Sequence, residues 1–523
     1  MNPKQELSRY VQVNIGADTR RLSHKERRII DKLIQVAKLL DDIYIDQVYY
    51  RNKEILLQLE KNPRKNKHAL KLFKFYYGPF DRLHNNKTFI DGFLKPSGAN
   101  FYPEDLSAQE FEEFIKRNPD VKNSFQSSVT LIRRINNGLV SIPYSDAYRE
   151  ELTKSSAFLK EAAKLSQNRS LKKYFNVLSA ALISNDYFES DVAWIDLKNN
   201  KIEAVMGPYE VYEDELLGLK ASFEAVIGIK DETTTNQLKI MERHVDRLEK
   251  NLPIPDKYKS KRKGKATPIV VIDEILSSGD ARAGVHMTAF NLPNDEKVKQ
   301  LKGSKKVLIK NVAEAKYENC FIPILKKAFY EQELNEASFD AYFTHTLLHE
   351  ISHGLGPGII TRGDQKITVN RALKNTYSTI EEAKADVLGV YNSFYLIDKG
   401  IYPKEFERQI VTSFIGGIFR SIRFGTQEAH AAANLIIFNF LKNRGIISYQ
   451  RRFGKFKINH KKSRTAFKTL SRKLLMIQAK GSYDEAKKFI EKYSTMDAGM
   501  KKILEDLKDI PIDILPIYRK DFD

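Results

Sequence analysis

Apolar residues recur at three- and four-residue steps between positions 20 and 60, where Ile29, Ile30, Leu33, Ile34, Ala37 and Leu40 share a face. That spacing predicts a partly buried helix pair. From 70 to 105 the pattern breaks into pieces such as GPFDR and KPSGANFYPED, whose Gly, Pro and Asn predict turns and structured loops. Amphipathic helices are expected again from 105 to 190. The run DVAWIDLKNNKIEAVM at 191–206 reads as a hairpin, with two β-prone segments flanking Lys198-Asn199-Asn200. Helices resume at 213–251, and a composition shift over 252–306 marks a crossing between lobes, with one short buried strand at 269–272. From 308 to 445 the chain reads as mainly helical. No internal repeat or low-complexity segment is evident.

At 523 residues the chain is too long for a single core, so two or more domains are expected, with a cleft available between them. Hydrophobic residues at 42% and charged residues at 29% fit an ordered, soluble chain and exclude a disordered one. No apolar stretch reaches the roughly 18 to 20 residues of a membrane span. The first thirty residues lack a signal-peptide core, so a cytoplasmic location is expected. A single cysteine, Cys320, excludes an intramolecular disulfide and a thiolate zinc site. Any metal must be held by histidines and carboxylates.

The net charge of +20 raises the question of nucleic acid. Residues 442–473 carry Lys442, Arg444, Arg451, Arg452, Lys455, Lys457, Lys461, Lys462, Arg464, Lys468, Arg472 and Lys473 without an acid. Tyr449, Phe453, Phe456 and Phe467 are interleaved, the mix of a groove that tracks phosphates and stacks bases. A second block is KYKSKRKGK at 257–265. Because no recognised nucleic-acid motif accompanies them, a solvated basic face is the favoured reading.

The sharpest signal lies in Thr344–His353. On a helix, the His349 and His353 of His349-Glu350-Ile351-Ser352-His353 sit one turn apart and can present two imidazoles to one ion. Glu350 then stands beside the metal without ligating it, placed to take a proton from the attacking water. Gly354, Gly356, Pro357 and Gly358 stop the helix just after the second histidine. Downstream, Ser378-Thr379-Ile380-Glu381-Glu382-Ala383-Lys384-Ala385-Asp386 opens a second helix, and Ser378 with Glu381 reads as a capping box. Glu382 and Asp386 share a face, so Glu382 can supply a third ligand while Asp386 accepts the far N–H of a ligand histidine. The alternative is an exposed acidic face on an ordinary helix. Three protein ligands with an open fourth position make a catalytic pattern rather than a structural one. His345 lies about 12 Å from His353 along the axis, too far to share an ion, and reads as a core or supporting histidine.

These strings, with GPYEVYED at 207–214, FNLPND at 290–295, HEISHGLG at 349–356, EEAKAD at 381–386 and EAHAAANLIIFNFL at 428–441, resemble the dipeptidyl peptidase III family of zinc exopeptidases. The resemblance covers roughly residues 70–445. It implies one zinc ion per chain at His349, His353 and Glu382, Glu350 as base, and Glu381 and Asp386 supporting the ligands. It nominates Tyr212 and His430 to hydrogen-bond the scissile carbonyl, although by themselves they read as a packed Tyr and a helix-face His. It matches Glu210, Asn291 and Asn294 to residues that hold the amino terminus of a short peptide. The implied fold is α+β and predominantly helical: two lobes around a wide cleft, one helical and zinc-bearing, the other mixed with a β-barrel core. The expected mixed lobe is 1–232 with 266–316 and 480–523; the expected helical lobe is 317–480 with 233–265.

Two positions depart from the better known members. They have HExxGH, whereas this chain has the shorter HEISH, and many place an Arg where this chain has Asn434. The shorter motif needs no helix bulge to align its histidines. The leading expectation is release of dipeptides from short peptides, with no membrane partner. The rival is a binding protein with a vestigial metal site, recognising nucleic acid through 442–473.

Overall fold

The computed structural model describes residues 2–136, 138–260, 268–362 and 365–518. It is α+β and predominantly helical, and it divides into two compact units. The first comprises 1–235, 267–315 and 513–523; the second comprises 236–266 and 316–512. Among the described residues, no helix is long and apolar enough to cross a membrane.

In the first unit, α1 (His24–Val48) starts at a capping box in which Glu26 N donates to Ser23 Oγ and Ser23 N donates to Glu26 Oε2. Its buried face includes Ile29, Ile30, Leu33, Ala37 and Leu40, as the spacing predicts. Each large apolar side chain among them contributes about 1.5–3 kcal/mol of burial. The helix packs on α2 (Arg149–Leu165), which packs on α3 (Arg169–Ser184). A five-stranded sheet completes the core, with β1 (Ile202–Glu210), β2 (Ser222–Lys230), β3 (Ile269–Gly279), β4 (Ala289–Leu292) and β5 (Lys305–Ile309) in the order β1-β2-β3-β5-β4. Within this sheet, among the described residues, only the β3–β5 pair is parallel. Among the described residues the strands close no barrel, and the sheet is open and mixed.

Within 252–306 the expected short strand at 269–272 is the longer β3, and β4 and the start of β5 follow it. Three other predicted elements differ. Residues 191–206 are the end of a helix (Phe188–Ile195), a turn and the start of β1, because Ala193 and Trp194 bury on a helical face. Within 105–190, Thr130–Ile135 and Gly138–Pro143 form an antiparallel hairpin. Within 213–251, the run SFEAVIGIK is β2, buried on both faces, so it lacks the alternation that marks a half-exposed strand.

The second unit is built around α4 (Phe339–His353), α5 (Tyr377–Asp398), α6 (Phe406–Ile422), α7 (Ala429–Asn443), α8 (Ser463–Lys480) and α9 (Tyr483–Tyr493). The largely buried α5 packs against α4, α6, α7 and α8. The close approach of α4 and α5 depends on Gly389, where an added Cβ would lie 3.1 Å from the His345 ring and 3.3 Å from the His349 backbone nitrogen. Residues 480–512, expected in the mixed lobe, belong to this unit. Phe489 and Tyr493 pack on Phe440, and the Arg423 guanidinium donates to the carbonyls of Leu507, Ile510 and Pro511.

Residues 261–265 of the KYKSKRKGK block lie outside the described residues. In the longer basic block, Phe456 and Phe467 are buried and Tyr449 packs on Phe456, so these rings are core rather than a stacking platform. Lys442 pairs with Asp497, Lys473 with Glu485, and Arg464 with Glu407 and Asp398. Phe453 remains exposed.

Candidate metal centre

Helix α4 ends on His353, with Gly354 as its cap, and Gly356 then turns the chain at φ +82°. An added Cβ at Gly356 would sit 2.6 Å from Leu475 Cδ2, so the turn is tied to a glycine. His349 and His353 face α5, which supplies Glu382. His349 Nε2 lies 3.1 Å from His353 Nε2 and 3.4 Å from Glu382 Oε2, and His353 Nε2 lies 3.7 Å from the same oxygen. Tetrahedral ligands about 2.0–2.2 Å from zinc are separated from one another by roughly 3.3–3.5 Å. The three donors therefore fit one small ion.

A carboxylate fixes the outer nitrogen of each imidazole. His349 Nδ1 lies 2.7 Å from Asp386 Oδ1, and His353 Nδ1 lies 2.8 Å from Glu381 Oε1. With these nitrogens donating, both Nε2 lone pairs point into the site, the tautomer a metal requires. The buried Glu382 Oε2 has no well-aligned hydrogen bond, although His430 Nδ1 is 3.0 Å away. Two imidazole nitrogens and a carboxylate oxygen that converge this closely suit a cation, whether a proton or a metal ion. The electrostatics agree: burial pushes the His349 pKa down, but the Asp386 and Glu382 carboxylates raise it to about 9. Burial raises Glu382, yet His349 and His430 hold it well below the usual carboxylate range. His430 itself is raised, chiefly by Glu382.

The carboxylates are positioned in turn. Asp386 Oδ2 accepts from Asn434 Nδ2 at 3.1 Å, and the same amide reaches His430 O at 2.8 Å. Asn434 thus links the Asp386–His349 pair to the backbone of His430. Glu381 Oε2 accepts from Gln478 Nε2 at 2.7 Å, and its Oε1 pairs with Lys384. The predicted capping box at Ser378 does not form: Ser378 lies inside α5, and the Glu381 carboxylate is committed to His353, Lys384 and Gln478. His345 is no ligand; its Nε2 donates to Asp386 O at 3.0 Å and its ring packs on Phe414. Glu350 is half-buried on α4, next to His349.

The family model for peptidase family M49 matches residues 107–395, more than half of the chain. The chain belongs to peptidase family M49. It is a metallopeptidase, a hydrolase of peptide bonds. The M49 chain is similar in structure to DPP III from Caldithrix abyssi, with TM-score 0.96 and 44% identity, covering 99% of each chain. It is also similar to dipeptidyl-peptidase III from Corallococcus sp. strain EGB, with TM-score 0.80 and 37% identity, covering 99% of this chain and 96% of that one. A plant relative from Arabidopsis thaliana named Nudix hydrolase 3 is 36% identical over 98% of this chain and 73% of its own length.

The remaining nominated residues of this M49 chain lie in the first unit. Asn294 Nδ2 donates to Tyr209 O at 3.0 Å and lies 3.4 Å from Glu210 Oε1, so Glu210 and Asn294 are neighbours. Asn291 is exposed on β4, and Tyr212 is 74% exposed just beyond β1. The loop carrying Tyr212 is anchored by two acids that sequence reasoning missed. Glu213 is buried between Arg82 and Lys95, and Asp214 accepts from Tyr102 Oη and the backbone of Leu217, Leu219 and Lys220. Near Glu210, burial raises Asp280 to about 6 and lifts Glu224 well above its usual range. Gln478 was also missed, and it carries no local signal, being 97 residues from its partner Glu381.

Proposed function

We propose that this M49 chain is a zinc-dependent exopeptidase that releases dipeptides from the amino terminus of short peptides in the cytoplasm. The observation that carries the reading is the convergence of His349 Nε2, His353 Nε2 and Glu382 Oε2 at 3.1–3.7 Å, with both outer imidazole nitrogens held by carboxylates. When bound there, zinc supplies a Lewis acid that brings the pKa of water toward roughly 7. Glu350 takes the proton of the attacking water and delivers it to the leaving amine. Tyr212 and His430 donate hydrogen bonds to the scissile carbonyl as negative charge develops on its oxygen. Glu210 receives the ammonium end of the peptide, with the amide oxygens of Asn291 and Asn294 accepting its remaining N–H groups. The two DPP III structures it is similar to support the same reading by name.

The test is mass identification of the products from a peptide of four to eight residues, with and without a chelator. Loss of successive dipeptides from the amino end, abolished by the chelator, is the expected result. Cleavage at internal bonds would make the chain an endopeptidase and remove the amine-binding assignment.

A further inference from the structure

Lys384 is the one member of EEAKAD between the glutamates and the aspartate that carries a charge, and it is buried. Its ammonium lies 2.8 Å from Glu381 Oε1, 2.8 Å from Ser352 O, 3.2 Å from Leu355 O and 3.4 Å from His353 O. An ammonium has three N–H groups. Glu381, Ser352 and Leu355 take the three shorter contacts, and the His353 carbonyl shares the remaining field.

The placement matters because His353 is the last residue of α4. The final carbonyls of a helix lack intrahelical partners, and helix ends fray first. A metal ligand there needs outside support, whereas His349 lies one turn inside the helix. A cation at a helix C-terminus also meets the negative end of the macrodipole. Lys384 touches the His353 imidazole through Glu381 and the His353 backbone through the carbonyls of the last turn.

We propose that Lys384 is a positioning residue for the second histidine ligand: it fixes the His353 ring through Glu381 and pins the helix end and following turn that carry the ring. The proposal rests on the metal reading above, and it distinguishes the two histidines. Asp386 and Glu381 each take a neutral amide on one oxygen, from Asn434 and Gln478, but His349 also has its interior position, while the Glu381 oxygen that holds His353 is shared with the cation of Lys384.

The experiment compares the wild-type protein with Lys384→Met, Lys384→Arg, Glu381→Gln and the double variant Lys384→Met/Glu381→Gln. Zinc affinity is read by competition with a chromophoric chelator, and ligand geometry by the visible absorption of the cobalt-loaded protein. Lys384→Met is expected to bind zinc about 10- to 100-fold more weakly, the size of an outer-sphere loss, with an altered cobalt spectrum. Lys384→Arg should recover part of both, and the double variant should lose less than the product of the two single losses. Unchanged zinc affinity and cobalt spectrum in a folded Lys384→Met protein would overturn the proposal and leave Lys384 a helix cap alone. If Lys384→Met does not fold, full zinc affinity and a wild-type spectrum in Glu381→Gln would overturn it, because the route through Glu381 would be idle. Wild-type protein that binds no zinc sensitive to His349→Ala would instead overturn the metal reading itself.

Discussion

The groups nominated for chemistry and those nominated for recognition are built differently. In the second unit, His349, His353 and Glu382 stand within 4.8 Å of one another on two packed helices, and a further layer of Asp386, Glu381, Asn434, Gln478 and Lys384 holds their orientation. In the first unit, the recognition groups Glu210, Asn291 and Asn294 lie on strand ends and loops, and Asn291 and Asn294 are exposed; Tyr212, nominated for chemistry, shares that exposed setting. The anchors of the Tyr212 loop are buried: Glu213 pairs with Arg82 and Lys95, and Asp214 accepts from Tyr102 and three backbone N–H groups. Preorganised donors keep one geometry at no cost when the ligand arrives, whereas exposed polar groups acquire theirs from the ligand. Changes in the first group should therefore cost far more than changes in the second.

The largest effect is expected from Glu350→Gln, which keeps the three proposed ligands and removes the proposed base. Hydrolysis of a dipeptidyl arylamide should fall about 10²- to 10⁴-fold with full metal content. Loss of the metal in this variant would make Glu350 structural and blur the comparison. Next comes Asp386→Ala, which frees the His349 ring and leaves Asn434 without its acceptor. Zinc affinity should drop about 10- to 100-fold by chelator competition; an unchanged value would show that the supporting layer does not matter.

The third prediction concerns pH. A metal must displace the proton that the Asp386 and Glu382 carboxylates favour on His349, whose pKa is raised to about 9. Zinc affinity should then rise with pH by roughly tenfold per unit below that value, with proton release visible by calorimetry in buffers of different ionisation enthalpy. In the metal-free protein the sign reverses. The raised pKa contributes stability that is complete below the ordinary value of 6.5 and is lost as pH rises through about 9, measurable as a falling Tm. Affinity independent of pH from 6 to 8 would contradict this balance of charges around His349.

The smallest effect belongs to recognition. A buried carboxylate deprived of its partner costs about 3 to 5 kcal/mol, but Glu210 is only half-buried, so screening reduces the penalty. N-acetylation of a substrate should lower kcat/KM by about tenfold or less, and Glu210→Gln should narrow that gap. An unaltered ratio would move the amine anchor to another residue while leaving the metal chemistry in place.

The same division governs what could be read from the sequence. His349, His353, Glu382 and Asp386 were legible because helical spacing alone puts each pair on one face. The role of Lys384 was visible only as a charge between two acids, since its partners are carbonyls of another helix. Gln478 had no signal at all. Strand β2 escaped because a strand buried on both faces loses its alternation, and the Ser378 capping box was misread because the helix begins before it. By contrast, the capping box at Ser23 forms, since Glu26 there has no competing histidine.

The measurement that tests the central claim most directly is a remove-and-restore titration of the wild-type protein. A chelator is used to strip the metal, and dipeptidyl-arylamide hydrolysis is followed as zinc is returned. Activity should vanish on stripping and climb linearly to a plateau at one zinc ion per chain. Hydrolysis that survives complete removal of the metal, or a plateau at a different stoichiometry, would contradict the account.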